Sequence, residues 1–183
     1  MEVLEVIKAR RSIRRYKTTP VDDKAVELVL EAARWAPSWT NSQCWRFIVV
    51  RDSNTKIELA NTLSVNNQAI AAIESAPVLI IACAELAKSG FREGNPRTDK
   101  GDYWYMFDVA LAMQNLVLTA RSLGLGTVYI GAFDAKRAAS ILEVPQGFCV
   151  VTMTPLGYPD QDPASRPRKE LSEIAFYDRF DSK

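Results

Sequence analysis

The sequence predicts an α+β fold in which helices flank a central mixed or antiparallel sheet. Strand-like and helix-like segments alternate loosely along its 183 residues. A continuous apolar run at 78–84 is typical of a strand that is buried on both faces. The composition, with 48% hydrophobic and 25% charged residues, is ordinary for a globular protein and supports one domain over residues 1–183.

Helices are predicted where apolar residues recur at three- and four-residue spacing. The segments are 2–8, 22–36, 56–74 (in two pieces around Asn66 and Asn67), 102–123 and 134–142. Asp22 or Asp23 can cap the second of these helices, and Pro37 ends it. The helix at 102–123 is apolar nearly all round, which indicates a central place in the core or burial in a subunit interface.

Strands are predicted at 45–51, 78–84, 127–131 and 148–157. The connection at 91–101 is polar and contains Gly and Pro, so we expect it to be irregular and mobile. Three prolines make the tail after Tyr158 extended. Because the tail also carries large apolar residues, we expect it to dock on a protein surface such as a second subunit; these residues are Leu171, Ile174, Phe176, Tyr177 and Phe180.

Charge and residue types exclude several functions. With 23 basic and 22 acidic residues, the net charge of +1 gives no general case for a nucleic-acid or anionic membrane partner. The absence of histidine excludes Ser-His-Asp and Cys-His hydrolases and His-ligated metal sites, and we expect no metal. No apolar run approaches the ~20 residues that a membrane helix needs. The three cysteines (Cys44, Cys83 and Cys149) form no CxxC motif and indicate reduced thiols in a cytoplasmic protein.

The densest charge lies at 8–17, KARRSIRRYK. Six of these ten residues are basic, which leaves 17 basic against 22 acidic residues, a net charge of −5, elsewhere in the chain. Arginine side chains can hold a phosphate bidentately and Ser12 can add a hydroxyl donor, although a solvated basic face is an equal alternative. A second basic group at 166–169 could converge on the same phosphate or simply decorate the tail.

Two further segments suit a flat polar ligand. Asn41 and Gln43 each present a donor and an acceptor, which can read the edge of a uracil-like ring; an ordinary turn is the alternative. Gly131 and Ala132, at the end of a predicted strand, could let a flat ligand approach the backbone, or could serve packing alone. The GLG triplet at 124–126 follows a helix and precedes a strand, the reverse of the order in a dinucleotide-binding fingerprint. The triplet therefore does not indicate a Rossmann fold.

Taken in order along the chain, these motifs resemble those of the FMN-dependent nitroreductase family. They are RRSIR at 10–14, PSWTNSQ at 37–43, GLGTVYIGAFD at 124–134, GYP at 157–159 and RPR at 166–168. The resemblance implies an α+β homodimer with FMN at the subunit interface. It also implies that the C-terminal tail wraps the partner subunit.

The resemblance implies roles for individual residues around FMN. The phosphate and ribityl chain would be held by Arg10, Arg11, Ser12, Arg166 and Arg168. Arg14 would lie near the flavin N1/C2 carbonyl and favour the anionic reduced flavin. From the other subunit would come Pro37, Ser38, Trp39 and Asn41, in a loop supported by Gln43. Gly131 and Ala132 would lie over the ring edge near N5.

The implied activity is a ping-pong cycle in which NADH or NADPH passes a hydride to FMN and leaves. A small acceptor, such as a nitroaromatic or a quinone, then occupies the same site. The flavin carries the chemistry, so no side chain is assigned as catalytic. Trp39 stands where the family commonly has a small residue, which leaves a flavin carrier with little turnover as an alternative. Two further alternatives are a flavin enzyme that reduces enones or removes halogens, and a basic interaction module without a cofactor. Cys44 replaces a usual proline, which can alter loop geometry or redox sensitivity.

Overall fold

The computed structural model describes residues 2–180. Its α-helices are α1 (Val3–Ala9), α2 (Asp23–Arg34), α3 (Ser53–Ala60), α4 (Ile70–Ser75), α5 (Trp104–Ser122), α6 (Ala135–Ile141) and α7 (Leu171–Ile174). Its strands are β1 (Trp45–Val50), β2 (Val78–Glu85), β3 (Phe91–Arg92), β4 (Asn95–Pro96), β5 (Gly126–Thr127) and β6 (Phe148–Gly157). Short 3₁₀ helices occupy Trp39–Asn41 and Gly101–Tyr103.

The main sheet has the strand order β1-β2-β6-β5, and each neighbouring pair is antiparallel. Strands β3 and β4 form a separate two-stranded hairpin. The predicted α+β class is therefore confirmed, and the main sheet takes the antiparallel form of the two that were expected.

Helices cover both faces of the sheet, and the apolar run in β2 serves both layers. Val78, Ile80 and Ala82 pack in the core formed with α2 and α5. Leu79 and Ile81 pack in the opposite core formed with α3, α4 and α6. All of these side chains are fully buried. Burial on both faces explains why this strand shows no alternation of polar and apolar residues.

Aspartate side chains begin three of the helices. The Oδ1 atom of Asp22 accepts a hydrogen bond of 2.7 Å from the backbone N–H of Lys24, which confirms the predicted start of α2. Asp52 accepts from Thr55 in the same way at the start of α3. Asp134 accepts from the backbone N–H of Arg137 at the start of α6.

Several predicted bounds were wrong. The strand expected at 127–131 is interrupted: β5 ends at Thr127, and pairing returns only as a bridge between Ile130 and Met153. In this register Val128 falls opposite Pro155, which has no N–H to donate. The break between α3 and α4 spans 61–69, wider than expected. The tail contains the short helix α7, and the connection at 91–101 includes the β3–β4 hairpin.

Within residues 2–180, no helix is both long enough and apolar enough to cross a membrane.

Candidate functional site

The arginine-rich segment after α1 is fixed along the edge of the main sheet. Ser12 forms a parallel β-bridge with Thr127, and the N–H of Ile13 donates to the Thr127 carbonyl at 2.9 Å. Gly126 permits this approach, because a β-carbon there would lie 2.7 Å from Cγ1 of Ile13. The backbone of the segment is therefore held in place independently of its charged side chains.

The start of the tail runs beside the same segment. Tyr16 bridges to Pro159, and the N–H of Lys17 donates to the Tyr158 carbonyl at 2.9 Å. The N–H of Asp160 donates to the carbonyl of Arg15, also at 2.9 Å. This pairing brings the RPR motif of the tail back toward the N-terminal arginines.

A cavity of about 890 Å³ lies where the two basic segments meet. Its lining includes Arg10, Arg11, Ser12, Arg14, Arg166 and Arg168. Ile7, Lys8, Gln114, Tyr129 and residues 163–165 complete its wall. Two groups at opposite ends of the sequence thus converge on one space, and we call this space the arginine cavity.

The charge around the arginine cavity is not neutralised by ion pairs. Among residues 2–180, none of its five arginines has a carboxylate oxygen within 4.0 Å; all the ion pairs found there are elsewhere. Arg11 uses Nη1 to donate to the Lys8 carbonyl at 2.6 Å, which leaves its other donors available. Such uncompensated guanidinium groups favour an anionic ligand.

A second, apolar cavity of about 440 Å³ adjoins the first and shares Gln114 and Tyr129 with it. It lies against the exposed side of α5 and is lined by Met106, Val109, Ala110, Met113, Gly131, Val151 and Thr152. Gly131 therefore lines a ligand-sized space. Ala132 is exposed and is not part of either wall.

Tyr129 stands at the junction of the two cavities. Its hydroxyl donates to Oε1 of Gln114 at 3.2 Å. Burial raises the pKa of Tyr129 to about 12, although the neighbouring Arg10 acts in the opposite direction. The side chain is therefore a neutral phenol at pH 7. Both residues were missed at the level of sequence, although Tyr129 lies inside the GLGTVYIGAFD motif.

The loop at 37–43 contributes no residue to the wall of either cavity in this protomer. Its residues Thr40, Asn41 and Gln43 have left-handed backbone conformations, with φ of 42°, 56° and 46°. Gln43 donates from Nε2 to Oδ1 of Asn41 at 3.0 Å and from its backbone N–H to Oγ of Ser38 at 3.0 Å. Both bonds lie within the loop and join Gln43 to two of its other residues.

A buried carboxylate holds this loop and was also missed. Asp108 on α5 is 1% exposed and accepts hydrogen bonds from the backbone N–H of Trp39 and from the hydroxyl of Ser42, all at 3.1 Å. The available signal was that Asp108 is the one acidic residue in the sequence of α5. Nearby, burial and the charge of Asp108 raise the pKa of Cys44 to about 11, so this residue is a protonated thiol.

The fold and these spaces define a class: an α+β protein with a cationic cavity that opens onto an apolar one. No cluster of His, Cys, Asp and Glu suited to a metal is present between residues 2 and 180. The sequence matches the family model described as Nitroreductase family over residues 7–72 and 65–158. The chain belongs to the nitroreductase family.

Individual relatives agree with this membership. A curated protein from Methanothermobacter thermautotrophicus, provisionally named NADH dehydrogenase/NAD(P)H nitroreductase, is 32% identical over 170 residues, covering 91% of this chain and 82% of that one. The NADPH-flavin oxidoreductase of Vibrio harveyi is 31% identical over 169 residues, covering 90% and 69%. The solved structure of NADPH:FMN oxidoreductase from Vibrio harveyi complexed with NAD+ has a TM-score of 0.85 at 28% identity, covering 98% and 78%. The predicted family and fold class are confirmed.

Proposed function

We propose that this chain is an NAD(P)H-dependent flavin oxidoreductase that binds FMN and passes hydride from NADH or NADPH to a small acceptor, such as a nitroaromatic or a quinone. The convergence of two arginine groups on one cavity, beside an apolar cavity, carries this proposal. The names of the Vibrio harveyi and Methanothermobacter thermautotrophicus relatives support it.

FMN fits the chemistry of the residues present. Its phosphate matches the unpaired guanidinium groups of Arg10, Arg166 and Arg168, with Arg11 and the hydroxyl of Ser12 as further donors. Its flat ring matches the apolar cavity, where Gly131 presents no side chain. Each of the two cavities, of about 890 and 440 Å³, is within the range of ordinary small-molecule sites, roughly 300–1,000 Å³.

The protein would contribute position and charge to the reaction. The hydride chemistry itself is supplied by the isoalloxazine ring when FMN is bound. Arg14 lines the arginine cavity, and its positive charge would favour added negative charge on the ring. Donor and acceptor would use the same face of the site in turn, which gives ping-pong kinetics.

We propose that the site is completed by a second copy of the chain. The loop with Pro37, Ser38, Trp39 and Asn41 does not line the cavities of its own protomer, so these residues would reach the cofactor of the partner. Exposed apolar side chains on α1, α5 and the tail support a homodimer; they include Val3, Leu4, Met106, Phe107, Leu171 and Tyr177.

The remaining assignments follow from the same proposal. The extended tail would pass over the partner subunit, where Phe176, Tyr177 and Phe180 lose their exposure to water. Ala132 would lie beside the ring edge rather than in the cavity wall. We also propose that the chain forms one domain. We place the enzyme in the cytoplasm, because all three cysteines are unbridged and a reducing compartment keeps thiols in that state.

Anaerobic mixing with NADH or NADPH tests the proposal. Purified protein loaded with FMN is expected to be yellow and to lose its absorbance at about 450 nm when the donor is added, because hydride transfer reduces the flavin. A quinone added afterwards should restore the colour. Protein that binds no FMN contradicts the whole proposal. Protein that binds FMN without bleaching contradicts the oxidoreductase and leaves the flavin carrier.

A further inference from the structure

Asp108 joins three separate parts of the fold. It lies on α5, and its Oδ2 accepts a hydrogen bond of 2.6 Å from the hydroxyl of Ser89, just after β2. The same carboxylate accepts from Trp39 and Ser42 in the loop at 37–43. The thiol of Cys44 lies 3.9 Å from Oδ2. One side chain therefore ties α5 to two loops that are distant in sequence.

The carboxylate is buried without a cation. Asp108 is 1% exposed, and among residues 2–180 no lysine or arginine nitrogen lies within 4.0 Å of it. Burying a carboxylate is costly unless hydrogen bonds compensate, and here they come from one backbone amide, two hydroxyls and the Cys44 thiol. A carboxylate contributes nothing to apolar packing at this position of α5. The structural role of Asp108 is therefore its hydrogen bonds to the two loops.

The loop that this network holds is strained. Thr40 is β-branched and nevertheless has φ of 42°, a region that such residues rarely adopt. Asn41 and Gln43 are left-handed as well. Strained backbone persists only when the surrounding structure holds it in place. The hydrogen bonds to Asp108 lie on both sides of Thr40, at Trp39 and Ser42.

A second contact joins the loop at 37–43 to the first residue of α5, Trp104. The rings of Trp39 and Trp104 meet edge to face with centroids 5.0 Å apart. Gly90 packs closely below Trp104, because a β-carbon at Gly90 would lie 2.8 Å from Cβ of Trp104. The loop at 37–43 and the segment at 86–103 are thus linked through Asp108 and again through Trp104, which contacts Trp39 and lies against Gly90.

We propose that Asp108 is a positioning residue that holds the loop at 37–43 in its left-handed conformation and links it to the segment beginning at Ser89. This rests on the proposed function, since the loop is expected to contact FMN across the dimer. Asp108 lines neither cavity; it would act through Trp39 and Ser42. Loss of the carboxylate would free the loop and weaken FMN binding in the partner's site.

The chemistry of the network distinguishes two substitutions. In Asp108→Asn, one oxygen still accepts from the Trp39 amide, and the new NH₂ group can donate to Ser42 and Ser89, whose hydroxyls also accept. Asp108→Ala removes every partner. Asn115→Ala is a matched control, because Asn115 also lies on α5. Its Nδ2 donates to the Ala32 carbonyl in α2 at 3.1 Å, not to the loop at 37–43.

Hydrogen exchange and FMN titration test the proposal together. In the protein without cofactor, Asp108→Ala should speed amide exchange at 38–43 and 86–92 by about tenfold or more. Its FMN dissociation constant should rise by about tenfold, as expected for lost hydrogen bonds to a charged group. Asp108→Asn should stay near wild type in both measurements. Asn115→Ala should lower only the melting temperature. The double variant Ser42→Ala/Ser89→Ala should also speed loop exchange, which covers the case that Asp108→Ala does not fold.

The outcomes separate this inference from the proposed function. If wild type binds no FMN, the proposed function fails, and loop exchange alone decides whether Asp108 holds the loop. Equal loop exchange in Asp108→Ala and Asn115→Ala overturns the inference. Faster exchange with unchanged FMN affinity also overturns it, because the residue then holds a loop that the cofactor does not use.

Discussion

Gly126 and Ile13 approach so closely that a β-carbon on the glycine would lie 2.7, 2.8 and 2.9 Å from three side-chain carbons of the isoleucine. Real side chains do not tolerate such contacts. The glycine therefore determines how near the arginine segment lies to β5, and with it the position of Arg10, Arg11 and Ser12 at the arginine cavity.

Gly126→Ala should destabilise the protein and weaken FMN binding together. The added methyl must displace Ile13, and overpacking of this kind costs about 1–3 kcal/mol. Urea denaturation and FMN titration measure the two effects. Gly131→Ala is the control for stability, because a β-carbon there meets nothing within 4 Å. Equal stability of the Gly126→Ala variant and wild type would contradict this account of the glycine.

Arg10→Ala and Arg168→Ala should each weaken FMN binding by about 1.5–3 kcal/mol, the usual contribution of a hydrogen bond to a charged group. The two residues lie at opposite ends of the chain and line one cavity. Titration of flavin fluorescence measures the change. Arg15→Ala is the matched control, because its exposed side chain is not in the cavity wall. Unchanged affinity in both cavity variants would refute the phosphate assignment.

Cys149 should react with iodoacetamide before the other two cysteines. It is partly exposed, whereas Cys44 and Cys83 are buried. Burial also raises the pKa of Cys44 and of Cys83 to about 11, which keeps both as poorly nucleophilic thiols. Mass spectrometry of briefly labelled, folded protein identifies the modified site. Labelling of Cys44 as fast as that of Cys149 would contradict the burial of Cys44.

The buried Lys56 should make stability depend on pH. Its Nζ donates to the Ala76 carbonyl at 2.7 Å, and burial lowers the pKa of Lys56 below its usual value. Between the lowered folded pKa and the unfolded value near 10.5, the unfolded chain binds more protons, so wild type gains stability as pH rises. Lys56→Met lacks this gain. Urea denaturation of both proteins at neutral and alkaline pH measures it; a pH-independent difference would contradict it.

The protein should sediment as a dimer, at twice the 20.5 kDa of one chain. The expectation rests on the exposed apolar residues of α1, α5 and the tail, which a soluble monomer would rarely leave in water. Analytical ultracentrifugation with bound flavin checks it. A stable monomer that retains FMN would contradict the shared site.

Local signals predicted much of the fold. The cap at Asp22 and the apolar run in β2 predicted those elements, because the responsible interactions lie within a few residues. β5 was predicted too long, because its interruption depends on Pro155 of the neighbouring strand. Propensity along one segment contains no information about the residue opposite it.

The same difference between local signals and distant contacts applies to the candidate site. The order of the arginine and glycine motifs along the chain indicated the protein family. The structure brings Arg10 and Arg168 to one cavity. Asp108 and Gln114 were not predicted, because each acts through partners far away in sequence, at Trp39 and Tyr129. Such pairings are decided by packing between elements, which no single segment reveals.

Diffraction from crystals grown with FMN tests the central claim most directly. The account predicts the phosphate within hydrogen-bonding distance of Arg10 and Arg168, with the ring toward Gly131 and with Ser38 and Asn41 supplied by the other protomer. FMN bound away from the arginine cavity, or held by one chain alone, would contradict it.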